Sequence, residues 1–165
     1  MKFISFVYSI LHTIGFIKDH DNLVINTITQ VMSLAASAYC SRHELELWNC
    51  KTCSQNVSDI NVIDDDTRII MAYDASLKSH FISIRGSSDI NNWISNLETR
   101  IIYPYVDKNI GVHNGLYHEY LLYKERLFSY VQGLDENDSL IITGHSSGSG
   151  VGSFLAYDLV LEGVL

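Results

Sequence analysis

Near the end of the 165-residue chain stands LIITGHSSGSGVG, residues 140–152. The apolar run at 140–142 predicts a short buried strand of the kind found in parallel sheets. Apolar residues then recur from Val151 to Leu159 at helical spacing, so a helix is predicted to begin just after Ser146. Because strands that pass directly into helices build layered sheets, this stretch predicts an α/β fold with a mostly parallel sheet and flanking helices.

The turn between this strand and helix has the pattern G-x-S-x-G, with Gly144, His145, Ser146, Ser147 and Gly148. A serine hydroxyl attacks an ester only when a strained turn lifts it out of the backbone, and the flanking glycines let neighbouring elements approach closely. Ser146 is therefore predicted to be a nucleophile on an elbow formed with Gly144, His145 and Gly148. The amide of Ser147 would then point at the developing oxyanion, aided by the helix dipole. The alternative is a glycine-rich turn in which Ser146 only caps the helix.

Earlier in the chain, the hydrophobic pattern predicts further elements. Apolar spacings of three and four predict a helix over 24–39 and another from Gly115 to Gly133, where the glycine ends it. Two β-type runs, 69–73 and 81–84, are separated by a turn-forming segment and predict a hairpin. Residues 41–66 are polar and irregular, and no regular element is predicted there.

The segment after the hairpin contains a glycine and two serines, followed by an amphipathic stripe. An oxyanion hole needs a second donor from elsewhere in the fold, and Ser87 can supply its backbone N–H there. The stripe consists of Ile90, Trp93, Ile94 and Leu97, which lie on one face of a predicted short helix. Periodicity alone does not distinguish an ordinary helix, whose apolar face stays packed on the core, from a helix that can move and expose that face.

Four motifs, in order along the chain, resemble those of the class 3 (fungal-type) lipases of the α/β-hydrolase superfamily. They are Ile84-Arg85-Gly86-Ser87-Ser88, Asn92-Trp93-Ile94, Val112-His113-x-Gly115 and Gly144-His145-Ser146. The resemblance implies a lipase or carboxylesterase that hydrolyses triacylglycerol-type esters through an acyl-serine intermediate, without a cofactor or a metal. Phospholipase and feruloyl esterase activities remain open, because the family shades into both.

The resemblance also implies roles for single residues. It makes Ser146 the nucleophile, Ser87 and Ser147 the oxyanion hole, and the helix that holds Trp93 a lid. In water such a lid packs its apolar stripe over the site, whereas at an oil–water interface the same face can bind lipid. The implied partner is therefore a lipid or ester substrate. Family members usually have leucine where Ser147 stands, and this change is expected to alter packing more than mechanism.

The residues after Ser146 depart from the family pattern more seriously. In α/β-hydrolases an aspartate and then a histidine follow the nucleophile, but here only Asp158 follows, and all 7 histidines precede it. Asp158 is expected to point away from the nucleophile, and neither His145 nor His113 is assigned as the base. We therefore predict that residues 21–165 are a partial lipase domain, the nucleophile half and N-terminal portion of the fold. The alternative is a truncated, non-catalytic relative that binds lipid.

The three cysteines are an odd number, so at least one has no partner within this chain. Cys50 and Cys53 form a C-x-x-C pattern without the further ligands that zinc requires, and a local disulfide between them is predicted. The resemblance implies that the counterpart of Cys40 is bonded to a cysteine near the C-terminus. A disulfide is typical of exported proteins.

Residues 1–20 are predicted to be a signal peptide or an N-terminal hydrophobic segment, because Lys2 precedes an apolar run. A signal peptide predicts a secreted protein, with the endomembrane lumen as the alternative location. No apolar stretch reaches the roughly 18 residues that span a bilayer, so no stable transmembrane anchor is expected. The net charge of −8 and the lack of a basic cluster exclude a nucleic-acid partner.

Overall fold

The structure is a computed structural model that describes residues 3–5, 21–87 and 100–164. Its strands are β1 (Phe3–Ser5), β2 (Val57–Asp64), β3 (Arg68–Asp74), β4 (Ser79–Ile84), β5 (Ile101–Ile102), β6 (Val112–His113) and β7 (Leu140–Gly144). Its helices are α1 (Asp21–Ser37), α2 (Arg42–Glu46), α3 (Asn114–Gln132) and α4 (Ser147–Leu161). The predicted elements at 24–39, 69–73, 81–84, 115–133 and 140–142 are all present.

Five strands form one sheet in the order β1-β7-β4-β3-β2, and β5 pairs with β6 in a separate ladder. β7 runs parallel to both β1 and β4, whereas β2, β3 and β4 form an antiparallel meander that contains the predicted hairpin. The α/β sheet with flanking helices is confirmed, and over the described strands it is mixed. In the parallel register Ile84 lies beside Gly144, so the loops that follow β4 and β7 leave the sheet at the same edge.

Helices cover both faces of the sheet, because alternate strand residues point to opposite sides. On one face α3 and α4 pack over Ile82, Ile84 and Ile142. On the other face α1 packs over Phe81 and Ile141, which neighbour those residues in sequence. Each fully buried side chain of this kind contributes roughly 1.5–3 kcal/mol. The two cores therefore hold the strand ends that carry the candidate site in fixed positions.

The prediction that 41–66 has no regular element is wrong. α2 begins at a capping box, in which Ser41 accepts from the Glu44 amide and the Glu44 carboxylate accepts from the Ser41 amide. β2 is an edge strand whose register shifts between Ser58 and Asn61, with Asp59 at φ 55°. This bulge breaks the period-2 alternation that would have revealed the strand.

Two predicted segments fall wholly or largely outside the described residues. The amphipathic stripe Ile90, Trp93, Ile94 and Leu97 lies in the gap between residues 87 and 100. Of the N-terminal segment, only Phe3–Ser5 is described, as a strand parallel to β7. None of the helices in the described ranges is both long and apolar enough to cross a membrane.

Candidate active site

Ser146 lies at the point where β7 ends and α4 begins. Its backbone has φ 55° and ψ −127°. A residue with a Cβ rarely adopts such angles, which cost on the order of 1–3 kcal/mol and persist only where the surrounding structure enforces them. The turn therefore has the strained strand-to-helix geometry that the G-x-S-x-G pattern predicts.

The two glycines of the elbow lie where no side chain fits. A Cβ on Gly144 would lie 2.6 Å from the carbonyl carbon of Gly148. A Cβ on Gly148 would lie 2.3 Å from the carbonyl oxygen of Ile84, at the end of β4. The start of α4 is thus pressed directly against the end of the neighbouring parallel strand, and this contact enforces the backbone of Ser146.

The two predicted oxyanion residues lie next to each other. The backbone N–H of Ser87 donates to Oγ of Ser147 at 3.0 Å. Ser147 is buried and is the first residue of α4, where helix amides have no acceptor within the helix. The sequence predicts that Ser147 contributes mainly a backbone amide. The structure adds that its hydroxyl accepts the N–H of the second predicted donor.

This contact gives a prediction for Ser147→Ala. Removing the hydroxyl takes away the acceptor of the Ser87 amide, worth about 1 kcal/mol, so that amide is expected to exchange with deuterium roughly fivefold faster. Ser153→Ala is the matched control, because the Ser153 hydroxyl on the same helix donates only to the Ser149 carbonyl. Residue-resolved hydrogen exchange measures both, and equal rates at Ser87 in the two variants would contradict the contact.

A cavity of about 480 Å³ opens beside the two oxyanion candidates. Its lining includes Ser87 and Ser147 together with His118 and Glu119 of α3, and Ser146 is outside it. A larger cavity, about 620 Å³, lies between β2 and α3 and touches none of the predicted site residues. We regard the smaller cavity as the relevant one, because only it reaches the end of β4.

The histidines considered as bases are engaged elsewhere. Nδ1 of His113 accepts from the amide of Leu116 at 3.3 Å and so caps α3. Nδ1 of His145 lies 2.8 Å from the hydroxyl of Tyr39. Among the described residues, no hydrogen bond joins the Ser146 side chain to a histidine or a carboxylate. Tyr39 belongs to no recognised motif. Its contact with His145, 106 positions away, is created by the fold and could not be predicted from the sequence.

Asp158 lies at the far end of the helix that Ser146 precedes. Eleven residues of helix beyond Ser147 place it about 16 Å along the axis, at 1.5 Å per residue. Its buried carboxylate accepts from the Tyr120 hydroxyl and from Nζ of Lys124, both at 2.7 Å. Burial, and then the hydrogen bond to Asp158, raise the pKa of Tyr120 well above its usual value, so its hydroxyl stays protonated. Asp158 thus belongs to a buried polar cluster rather than to the elbow.

The cysteines behave partly as predicted. Cys50 and Cys53 are joined in a disulfide, which confirms the local pairing. Cys40 is a free thiol whose Sγ lies 3.3 Å from Oγ1 of Thr52. The three sulfur atoms lie within 4.8 Å of one another, but two of them are consumed by the disulfide and are not thiolate ligands.

The family model for class 3 lipases matches residues 81–164, just over half of the chain and the part that contains both loops of the site. The chain belongs to the class 3 lipase family. This class 3 lipase chain is 31% identical over 159 residues to a lipase of Rhizomucor miehei. That alignment covers 88% of this chain and 42% of the relative.

Solved lipases share the fold of this class 3 lipase chain. The triacylglyceride lipase of Rhizomucor miehei matches with a TM-score of 0.76 at 29% identity, over 85% of this chain and 56% of that one. A triacylglycerol lipase whose catalytic centre is a serine protease triad matches with a TM-score of 0.74 at 28% identity, over 84% and 56%. The predicted α/β-hydrolase fold is confirmed, and the chain spans about half the length of these relatives.

Proposed function

We propose that this class 3 lipase chain carries the nucleophile and the oxyanion donors of a serine carboxylic-ester hydrolase that acts on acylglycerol-type lipids. The observation that carries the proposal is the backbone of Ser146, with φ 55° on a strand-to-helix turn whose flanking glycines leave no room for a Cβ. This geometry lifts a hydroxyl out of the backbone at the edge of the sheet. A serine that only capped a helix would need no such strain.

The chemistry assigned to the site is acyl transfer. Oγ of Ser146 attacks the ester carbonyl, the alcohol leaves with a proton, and water hydrolyses the resulting acyl-serine. The backbone amides of Ser87 and Ser147 stabilise the negative oxygen of each tetrahedral intermediate. Such donors are worth about 10²–10³ in rate each. In this structure the Ser87 amide donates to Oγ of Ser147, so catalysis requires it to exchange that hydrogen bond for one to the substrate oxygen. No residue of the described ranges is assigned as the general base.

The proposed substrate class is supported by the names of the relatives, and the proposed cellular location by the disulfide. The relatives are named as triacylglyceride and triacylglycerol lipases, which favours acylglycerol esters as substrates. The Cys50–Cys53 disulfide favours an oxidising compartment, and so secretion or the endomembrane lumen, with residues 1–20 as the signal and 21–165 as part of the lipase domain. The stripe Ile90, Trp93, Ile94 and Leu97 is proposed to be the lid that meets an oil–water interface.

The test is covalent labelling of the nucleophile. A fluorophosphonate probe is expected to modify the wild-type chain at Ser146, located by peptide mass spectrometry, and to leave Ser146→Ala unmodified. Ser153→Ala is the control, because it removes a nearby serine hydroxyl of α4 outside the elbow. Labelling of Ser146→Ala at the wild-type rate, or a folded wild-type chain that does not react, would contradict the proposal. Hydrolysis of tributyrin and of p-nitrophenyl butyrate by labelled and unlabelled protein then tests the substrate class.

A further inference from the structure

Tyr39 bridges the two loops of the candidate site from a third part of the chain. It lies just beyond the end of α1, at the edge of the sheet where β4 and β7 end. Its hydroxyl oxygen is 2.8 Å from Nδ1 of His145 and 3.1 Å from the backbone nitrogen of Gly86. One hydroxyl thus contacts the elbow and also the residue directly before Ser87.

The chemistry of the donors determines how this bridge is arranged. The Gly86 amide can only donate, so the Tyr39 oxygen accepts from it. The contact with His145 is a hydrogen bond in either tautomer of the imidazole: the hydroxyl donates when the ring proton is on Nε2, and Nδ1 donates when it carries the proton. A continuous chain of hydrogen bonds therefore runs from the Gly86 amide through Tyr39 to the imidazole of His145.

The elbow, Tyr39 and the loop after β4 also pack closely together at Gly86. A Cβ there would lie 2.4 Å from the carbonyl oxygen of His145, and 2.9 Å from both the Cβ of Ser146 and the hydroxyl of Tyr39. The loop after β4 has therefore closed as far onto the elbow as a glycine permits. The peptide planes that carry the Gly86 and Ser87 amides share the Cα of Gly86, so closure of the loop at Gly86 limits where the Ser87 amide can lie.

We propose that Tyr39 is a positioning residue, whose hydroxyl clamps the Gly86-Ser87 loop to the elbow and so sets the Ser87 amide at the distance that an oxyanion on Ser146 requires. Its catalytic consequence rests on the proposed function, since it matters only if the Ser87 amide stabilises that oxyanion. Tyr39 touches no reacting atom and acts through Gly86 and His145. A shift of about 1 Å in a positioned group can cost 10²-fold in rate, so a clamp of this kind has a measurable effect.

The experiment compares Tyr39→Phe with Tyr130→Phe. Tyr130 is a matched control because its hydroxyl lies 3.1 Å from Nδ1 of His80, near the start of β4 and so at the opposite end of the strand. Each variant loses one hydroxyl that contacts a histidine. Four quantities are measured: deuterium exchange of the Gly86 amide, the ¹⁵N shifts of the His145 ring, and kcat and KM for p-nitrophenyl butyrate.

In Tyr39→Phe the Gly86 amide is expected to exchange roughly fivefold faster, because its acceptor is lost. The ¹⁵N shifts of the His145 ring are expected to change, since Nδ1 loses its hydrogen-bond partner. We expect kcat to fall between about tenfold and a hundredfold with KM nearly unchanged, because a misplaced oxyanion donor weakens binding of the transition state and not of the substrate. Tyr130→Phe is expected to leave all four quantities at the wild-type values.

Unchanged Gly86 exchange and unchanged His145 shifts in Tyr39→Phe would overturn the clamp, and an equal fall of kcat in both variants would overturn its specific role. A wild-type chain that neither hydrolyses the ester nor reacts with a fluorophosphonate would contradict the proposed function instead. In that case the exchange and ring-nitrogen measurements still decide whether the clamp exists.

Discussion

Replacing Gly148 with alanine is expected to remove a large part of the free energy of unfolding. The added Cβ would lie 2.3 Å from the carbonyl oxygen of Ile84 and 2.8 Å from that of Arg85. Both are backbone atoms at the end of a central strand, which cannot move aside as a flexible side chain would. Relieving the clash requires α4 to separate from β4, and this exposes part of the core that the two elements share. We expect a loss of more than about 3 kcal/mol, against the roughly 5–15 kcal/mol that stabilise an ordinary domain.

The matched control is Gly133→Ala. Gly133 follows the last turn of α3 with φ −82°, and a Cβ there would come no closer than 3.4 Å to any neighbour. Its substitution is expected to change stability by less than about 1 kcal/mol, because the backbone is one that alanine adopts readily. Urea denaturation followed by circular dichroism measures both variants. Equal midpoints for the two alanine variants would mean that the elbow is not packed against β4 as described.

The sequence predicts the features that are formed by residues close together in the chain. The elbow around Ser146 follows from a strand, a G-x-S-x-G pattern and a helix within about twenty residues, and the Cys50–Cys53 pairing from a separation of 3. The hairpin follows from two β-type runs and a turn. In each case the residues that form the structure are close enough for hydrophobic period and turn chemistry to reveal it.

Features that depend on the pairing of distant strands could not be predicted in this way. β2 has its alternation broken by a bulge, so its pattern resembles an irregular loop. The hydrogen bond from Ser87 to Ser147 exists because the parallel register sets Ile84 beside Gly144, and a register between strands 60 residues apart leaves no mark in either strand alone. Tyr39 reaches His145 only after α1 has docked on the sheet.

Replacing Asp158 with alanine is expected to destabilise the chain by about 3–5 kcal/mol, the range found when one partner of a buried ion pair is removed. The carboxylate accepts from the hydroxyl of Tyr120, which is fully buried, and from the ammonium of Lys124. In the variant the Tyr120 hydroxyl loses this acceptor within the packed interface of α3 and α4. Desolvation lowers the pKa of Lys124, but the hydrogen bonds to Asp158 and Glu162 outweigh it and raise the pKa overall, so the ammonium remains charged.

Glu162→Ala separates the effect of burial from that of charge. Glu162 accepts from the same ammonium at the same 2.7 Å distance, but its side chain is 48% exposed, against 4% for Asp158. An exposed ion pair of this kind is worth about 0–1 kcal/mol, because water solvates both charges when the pair is broken. The free energies of unfolding from urea titrations should therefore differ by at least about 2 kcal/mol between the two variants. If they were equal, the cluster around Asp158 would be an open surface network, and α3 and α4 would be held together by their apolar contacts alone.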